Sequence, residues 1–277
     1  MDFFRPETDK HDFRDGNGKV PAHRHLYRDG FVGGWVADTA HVDGTCWISH
    51  RAEVFGNARI IGNAWVMGTV RDNAEVSGDA VVWAGALVAD DARVGEQAFV
   101  AGPAVIAGEA VVDGKAVVEG GARIFGSANV SGNANVRGTS TVCEGAYVSG
   151  MAVVRGAATV RGRARVVGNA VVFGSAVVSG DAIVHGHAHV AGHAEVTDHV
   201  ILSGDATVCG TARVWGHAEI GEDAVVAEQA SVGGRARVRG ESRVCGMARV
   251  AGDVVLEEGM VIDREAEGIG SEAEARS

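Results

Sequence analysis

The chain has 277 residues, 46% hydrophobic but only 5% aromatic, with 41 Gly and 3 Pro, which suits a narrow core of small side chains and excludes one anchored on large ones. A formal net charge of −11 excludes nucleic acid as the main partner, because phosphate binding needs a basic surface. No run of about 18 apolar residues is present to span a membrane as a helix.

Residues 1–33 are rich in Asp, Arg, His and Lys with Phe3, Phe4, Phe13, Leu26, Tyr27 and Phe31 interspersed. The start, Met1-Asp2-Phe3-Phe4-Arg5-Pro6, has no hydrophobic signal core. The segment carries no periodic rhythm and is expected to cap an exposed sheet end. A docking arm is the other reading.

From Gly34 a six-residue phrase begins, loose at first: Ala40-His41-Val42, Cys46-Trp47-Ile48, Ala52-Glu53-Val54, Ala58-Arg59-Ile60, Ala64-Trp65-Val66. Trp47 and Trp65, eighteen residues apart, are expected to stack on one face. Between Ala64 and Ala74 two residues are lost, and the break falls around Thr69 to Asp72. It reads as a tightened corner.

From Ala74 to Val254 the phrase small–x–aliphatic–x–Gly–x repeats without insertion, as in Ala182-Ile183-Val184-His185-Gly186-His187. Apolar residues two apart face the same way in an extended chain. Helical spacing of three and four never holds. Six residues make one side, Gly lets the chain turn a corner through positive φ, and three sides close a coil of 18. Successive coils then stack about 4.8 Å apart as parallel strands. After Leu256 the rhythm lapses, and Arg264 to Ser277 reads as an acidic tail, a short helix or disordered.

The Val-x-Gly-x-Ala-x phrase resembles that of the hexapeptide-repeat proteins, which form left-handed parallel β-helices and include acyltransferases and gamma-type carbonic anhydrases. The stretch Gly33-Gly34-Trp35-Val36 followed by Cys46-Trp47-Ile48, with Gly one place later than the usual phrase, is similar to that of a group of uncharacterised bacterial proteins assigned to the acyltransferases. The resemblance implies an all-β fold: a single-stranded left-handed parallel β-helix, a triangular solenoid of about twelve 18-residue coils, with short non-repetitive terminal segments. The expected division is 1–33 cap or arm, 34–256 β-helix and 257–277 acidic tail. The left hand itself rests on the resemblance, since ordinary crossovers are right-handed.

With the register set, each face can be read for function. The outward column Val81, Phe99, Val117, Val153, Val171 and Val225, interrupted by Asn135, His189 and Thr207, is apolar enough to predict a contact surface between copies of the chain, as a dimer or trimer. The plainer alternative is that Val serves strand propensity there. Glu195 with Arg213 and Glu219 with Arg237 are expected to pair vertically. The late cluster Arg235, Arg237, Arg239, Arg243 and Arg249 is either a solvated face or an anion contact. Cys46 falls in an inward slot, while Cys143, Cys209 and Cys245 fall outward. No pair is placed for a disulfide, so four free thiols and a cytoplasmic location are expected.

His185, His187, His189, His193 and His199 crowd one coil, and His217 follows His199 by eighteen. All are expected to face outward. His199 and His217 converge best as metal ligands, but two are too few for a tight site. The carbonic anhydrase resemblance implies zinc histidines five apart and two coils apart, and this sequence has neither spacing. The acyltransferase resemblance implies a histidine base in a cleft between subunits, with acetyl-coenzyme A as donor, and leaves His189, His199 and His217 as candidate bases. Smooth coils predict no such concavity within one chain. The reading preferred from sequence is therefore a non-catalytic scaffold or binding surface that self-associates and needs no cofactor, with acyl transfer at a subunit interface as the alternative.

Overall fold

Small and aliphatic residues two apart put both side chains on one side of a short strand, and the third residue of the trio on the other. The computed structural model of the chain, which describes residues 9–27 and 29–263, shows this arrangement repeated: two-residue strands joined by tight corners, in an all-β parallel solenoid of about 13 turns. That is one turn more than the repeat count predicts, because Val32–Ala37 already begins a turn and Val261–Ile262, past the lapse at Leu256, still pairs below Arg243–Val244. Arg264 to Ser277, read from sequence as an acidic tail, lies outside the described residues.

The chain divides into two compact units, one ending at Ser127 and the other beginning at Ala128. In the first, three strands β1 (Asp9–Asp12), β2 (Lys19–Leu26) and β3 (Val32–Ala37) form an antiparallel meander. β3 then pairs in parallel with Glu53–Val54, and coil follows coil. The inward slots are filled by Ala and Val, Ile or Leu with essentially no solvent exposure. In the second unit the same inward sets recur, with Ser140, Val200 and Ser242 taking the Ala slot, all buried.

Each backbone N–H after the inward small residue donates to the carbonyl one coil on, as from Val153 to Ala170 at 2.9 Å and from His189 to Ala206 at 2.8 Å. The coils are thus hydrogen-bonded along every side, and at the meander end the buried Ile48 amide donates to the Tyr27 hydroxyl. Corners are turned through positive φ: Gly156, at +77°, is seated so that a Cβ there would lie 2.7 Å from the Gly174 carbonyl oxygen.

The first unit's end is covered by the meander. Phe13 stacks on Phe55 with centroids 4.6 Å apart, around buried Ala22 and Ala37. His11 stacks on Trp35 at 4.4 Å. Tyr27 stacks on Trp47 at 4.7 Å and donates its hydroxyl to the Ile48 carbonyl at 2.8 Å.

The phase break lies two residues earlier than the sequence reading places it. Val66 and Thr69 begin and end a corner reduced to Met67 and Gly68. Gly68 takes the inward slot that Ala fills elsewhere, since a Cβ there would meet the Ala86 carbonyl oxygen at 2.4 Å. Thr69 to Asp72 is an ordinary strand and corner.

Candidate functional site

The inward slots are sealed, so any function resides on outward side chains. In the first unit one stack pairs Trp47 with Trp65, Trp65 with Val81, Val81 with Phe99, and Phe99 with Val117. In the second unit Val153 pairs with Val171, and Thr207 with Val225, with His189 between Val171 and Thr207. Val81, Phe99, Val117, Val153, Val171 and Val225 all point outward and are half-buried by their neighbours in the stack.

Trp47 and Trp65 belong to this apolar column, and the sequence reading stops short of them. Counting back by eighteen from Val81 reaches Asn63; the two lost residues shift the true neighbour to Trp65. A correction for the lost pair is the signal that finds them. The three indoles in or beside this strip are 41% (Trp47), 52% (Trp65) and 47% (Trp83) exposed. Trp47 and Trp65 lie 6.1 Å apart, and Trp83 and Phe99 6.3 Å. The two ring pairs, linked by Val81 between Trp65 and Phe99, leave a partly exposed apolar strip of the kind that marks a contact surface when it is extensive.

The histidines face outward as the register requires. His187, His189, His193, His199 and His217 are exposed and His185 is half-buried. His199 and His217 stack at 4.6 Å with their planes only 20° apart. Parallel rings direct their in-plane nitrogens side by side instead of at one point, which is poor geometry for a shared metal ion. Above them the same corner column holds Asp181, 3.6 Å from His199 Nε2 and 2.7 Å from Arg163 Nε. Among the described residues no three His, Cys, Asp or Glu are grouped to hold a metal.

The faces are less smooth than the repeat predicts. A depression of about 190 Å³ opens beside His217, walled by Glu219, Arg235 and Arg237. Glu219 is held there by Arg237 at 3.4 Å and Arg239 at 2.7 Å. The cause is the uneven length of successive outward side chains on an otherwise regular stack. Its volume falls below the roughly 300–1,000 Å³ of small-molecule pockets, so this depression by itself does not enclose a coenzyme-sized ligand.

Glu195 and Arg213 pair at 3.3 Å as expected of vertical neighbours. All four cysteines are free. Cys143 occupies an outward slot by count yet is only 6% exposed. Burial pushes the Cys46, Cys143 and Cys209 thiols above the ordinary cysteine value, which leaves them poor nucleophiles at neutral pH.

No family model matches the sequence, and no curated protein matches it. Among solved structures the chain is similar to LpxA from Acinetobacter baumannii, at 13% identity over 66% of each chain, with a TM-score of 0.22. The match thus spans slightly less than two thirds of that protein.

Proposed function

We propose that this chain is a non-catalytic scaffold or binding surface that self-associates through the apolar column of Val81, Phe99, Val117, Val153, Val171 and Val225. The observation that carries this reading is the exposed aromatic strip continuing the column through Trp65 to Trp47. Covering such a strip removes apolar area from water at about 25 cal/mol per Å², and although Tyr27 stacks on Trp47, Trp65 and Trp83 remain 52% and 47% exposed. The four free thiols support a reducing, cytoplasmic setting.

Sedimentation velocity of the wild type, Trp65→Glu and Val153→Glu tests the reading. The wild type is expected to sediment as a dimer or trimer and both variants as folded monomers, because both positions lie outside the sealed core, with melting temperatures lowered only by the lost association. A wild type that is monomeric at every concentration ends the proposal.

A second reading, acyl transfer from acetyl-coenzyme A at a subunit interface, draws on one observation: the depression beside His217, with His199 stacked on that ring. A general base must reach the proton it removes within about 2.6–3.2 Å in a pocket that orients both substrates, and a partner's surface would have to complete this one. On this reading His217, His199 or His189 is the base. Coenzyme A at millimolar concentration then raises the melting temperature of the oligomer through linkage, and His217→Ala abolishes the rise. No rise in the wild-type oligomer removes this reading without touching the scaffold one.

A further inference from the structure

On a face built of stacked two-residue strands, a hollow forms where a short outward residue lies between long ones. In the second unit Ser231 pairs with Arg213 on one side and Arg249 on the other. The corner column beside it runs Trp215, Gly233, Ala251 at the same eighteen-residue interval. Corner glycines in this chain are ordinarily required by positive φ, as at Gly234 (+71°), but Gly233 does not have one. What the bare position at 233 makes room for is the indole one coil before it. A Cβ there would lie 2.2 Å from Trp215 Cε2, so the ring rests against bare backbone and stays 39% exposed.

Arg213, Trp215, Ser231, Arg249 and Ala251, with Glu195, line a cavity of about 470 Å³. That volume lies inside the range of small-molecule sites, which combine an apolar wall with a few convergent polar groups. Glu195 is the lining's one carboxylate and is bound to Arg213 at 3.3 Å. The second guanidinium, Arg249, has no acidic partner among the described residues, and the lining carries one net positive charge. An arginine beside a hydroxyl suits a carboxylate, and a seated indole offers its face to a flat ring.

We propose that this cavity binds a small aromatic monocarboxylate, its ring against Trp215 and its carboxylate between Arg249 and the Ser231 hydroxyl. The face is a different one from that of the apolar column, so the site stands whether or not the chain self-associates.

Calorimetric titration of the full chain with benzoate, benzamide and cyclohexanecarboxylate tests it. Benzoate is expected to bind saturably at millimolar concentration or below, and the uncharged and the non-aromatic analogues at least about tenfold more weakly. Arg249→Gln and Trp215→Leu should each weaken benzoate about tenfold, while Arg243→Gln, on another stack, should leave it unchanged. Arg249 is exposed, so its variant decides the matter even if Trp215→Leu fails to fold. Failure of benzoate to saturate overturns the site. Equal binding of benzamide, or unchanged affinity in Arg249→Gln, overturns the carboxylate contact, and equal binding of cyclohexanecarboxylate overturns the aromatic one.

Discussion

At the scale of single residues, the corner slot decides how the chain turns, and two kinds of residue fill it. Most are glycines, but Asp72, Asp90, Glu144, Asp198, Glu222 and Glu228 adopt the same left-handed conformation. An L-residue there costs about 1–2 kcal/mol against glycine. The acids offset this by a contact glycine cannot make. Asp90 Oδ2 accepts from the Gly108 amide at 2.9 Å, Asp198 Oδ2 from Gly216 at 2.9 Å, and Glu228 Oε2 from Gly246 at 2.9 Å. At Gly174, where φ is +76°, Ala should therefore be worse than Asp, by about 1 kcal/mol in urea unfolding. Both side chains meet the strain and the 2.7 Å approach of a Cβ to the Gly192 carbonyl oxygen, but Asp recovers part of the loss by accepting from the Gly192 amide. Equal losses for the two variants would mean that the carboxylate contacts contribute nothing.

At the scale of elements, the strands were legible from period two and period eighteen, because each outward residue has a vertical neighbour whose identity the count supplies. Glu195 over Arg213 and Trp47 over Trp65 follow directly. The meander was not legible. β2 reads Lys19-Val20-Pro21-Ala22-His23-Arg24-His25-Leu26, and a proline with no amide to donate demotes such a run. Pro21 is tolerated because its carbonyl still accepts from Asp38 at 3.0 Å, a partner that only the folded chain supplies. The burial of Cys143 is illegible for a related reason: slot parity tells which way a side chain points, not how far its neighbours lean over it. The 470 Å³ cavity is not legible in the sequence, because Gly233 looks like one more corner glycine until its φ is known. The late basic cluster is legible as a count of charges, but two of its members, Arg237 and Arg239, are bound to Glu219, and the count does not reveal which arginine lacks an acidic partner among the described residues.

The same meander carries a titration. His25 in β2 is 8% exposed, packs edge-on to Tyr27 at 4.8 Å, and its Nε2 has no partner among the described residues. Burial, and then the nearby His23, hold its pKa below the ordinary histidine value. The folded meander therefore binds fewer protons than the unfolded one once pH drops to the unfolded value, about 6.5. Stability rises with pH wherever the unfolded state binds more protons, so the meander should loosen as pH falls below about 6.5 and tighten above it. Hydrogen exchange of the β2 and β3 amides at pH 5.5 and 7.5 is the measurement, with exchange corrected for its intrinsic pH dependence. Protection should drop at the lower pH in the wild type and much less in His25→Phe. Equal corrected protection at both values would show that His25 is not a titrating element of this end.

At the scale of the whole molecule, the sequence combines a net charge of −11 with an apolar column that faces water. The two oppose one another in any association of copies. Like charge on each chain repels over a Debye length of about 10 Å at 0.1 M salt and about 30 Å at 0.01 M, while burial of Val and Trp side chains is insensitive to that screening. If the apolar column is the contact, raising sodium chloride from about 10 mM to about 0.5 M removes the repulsion and leaves the attraction. The oligomer fraction at fixed protein concentration should then rise, and Val153→Glu should remain monomeric throughout. The arginine-bearing stacks offer the opposite outcome. Columns such as Arg213 over Ser231 over Arg249 present cations to acidic side chains of another copy, and an association made through them would dissolve as salt increases. The sign of the salt dependence in sedimentation equilibrium thus separates an apolar contact from an ionic one, and a fall in oligomer fraction with salt would transfer the interface from the Val81 column to the arginine faces.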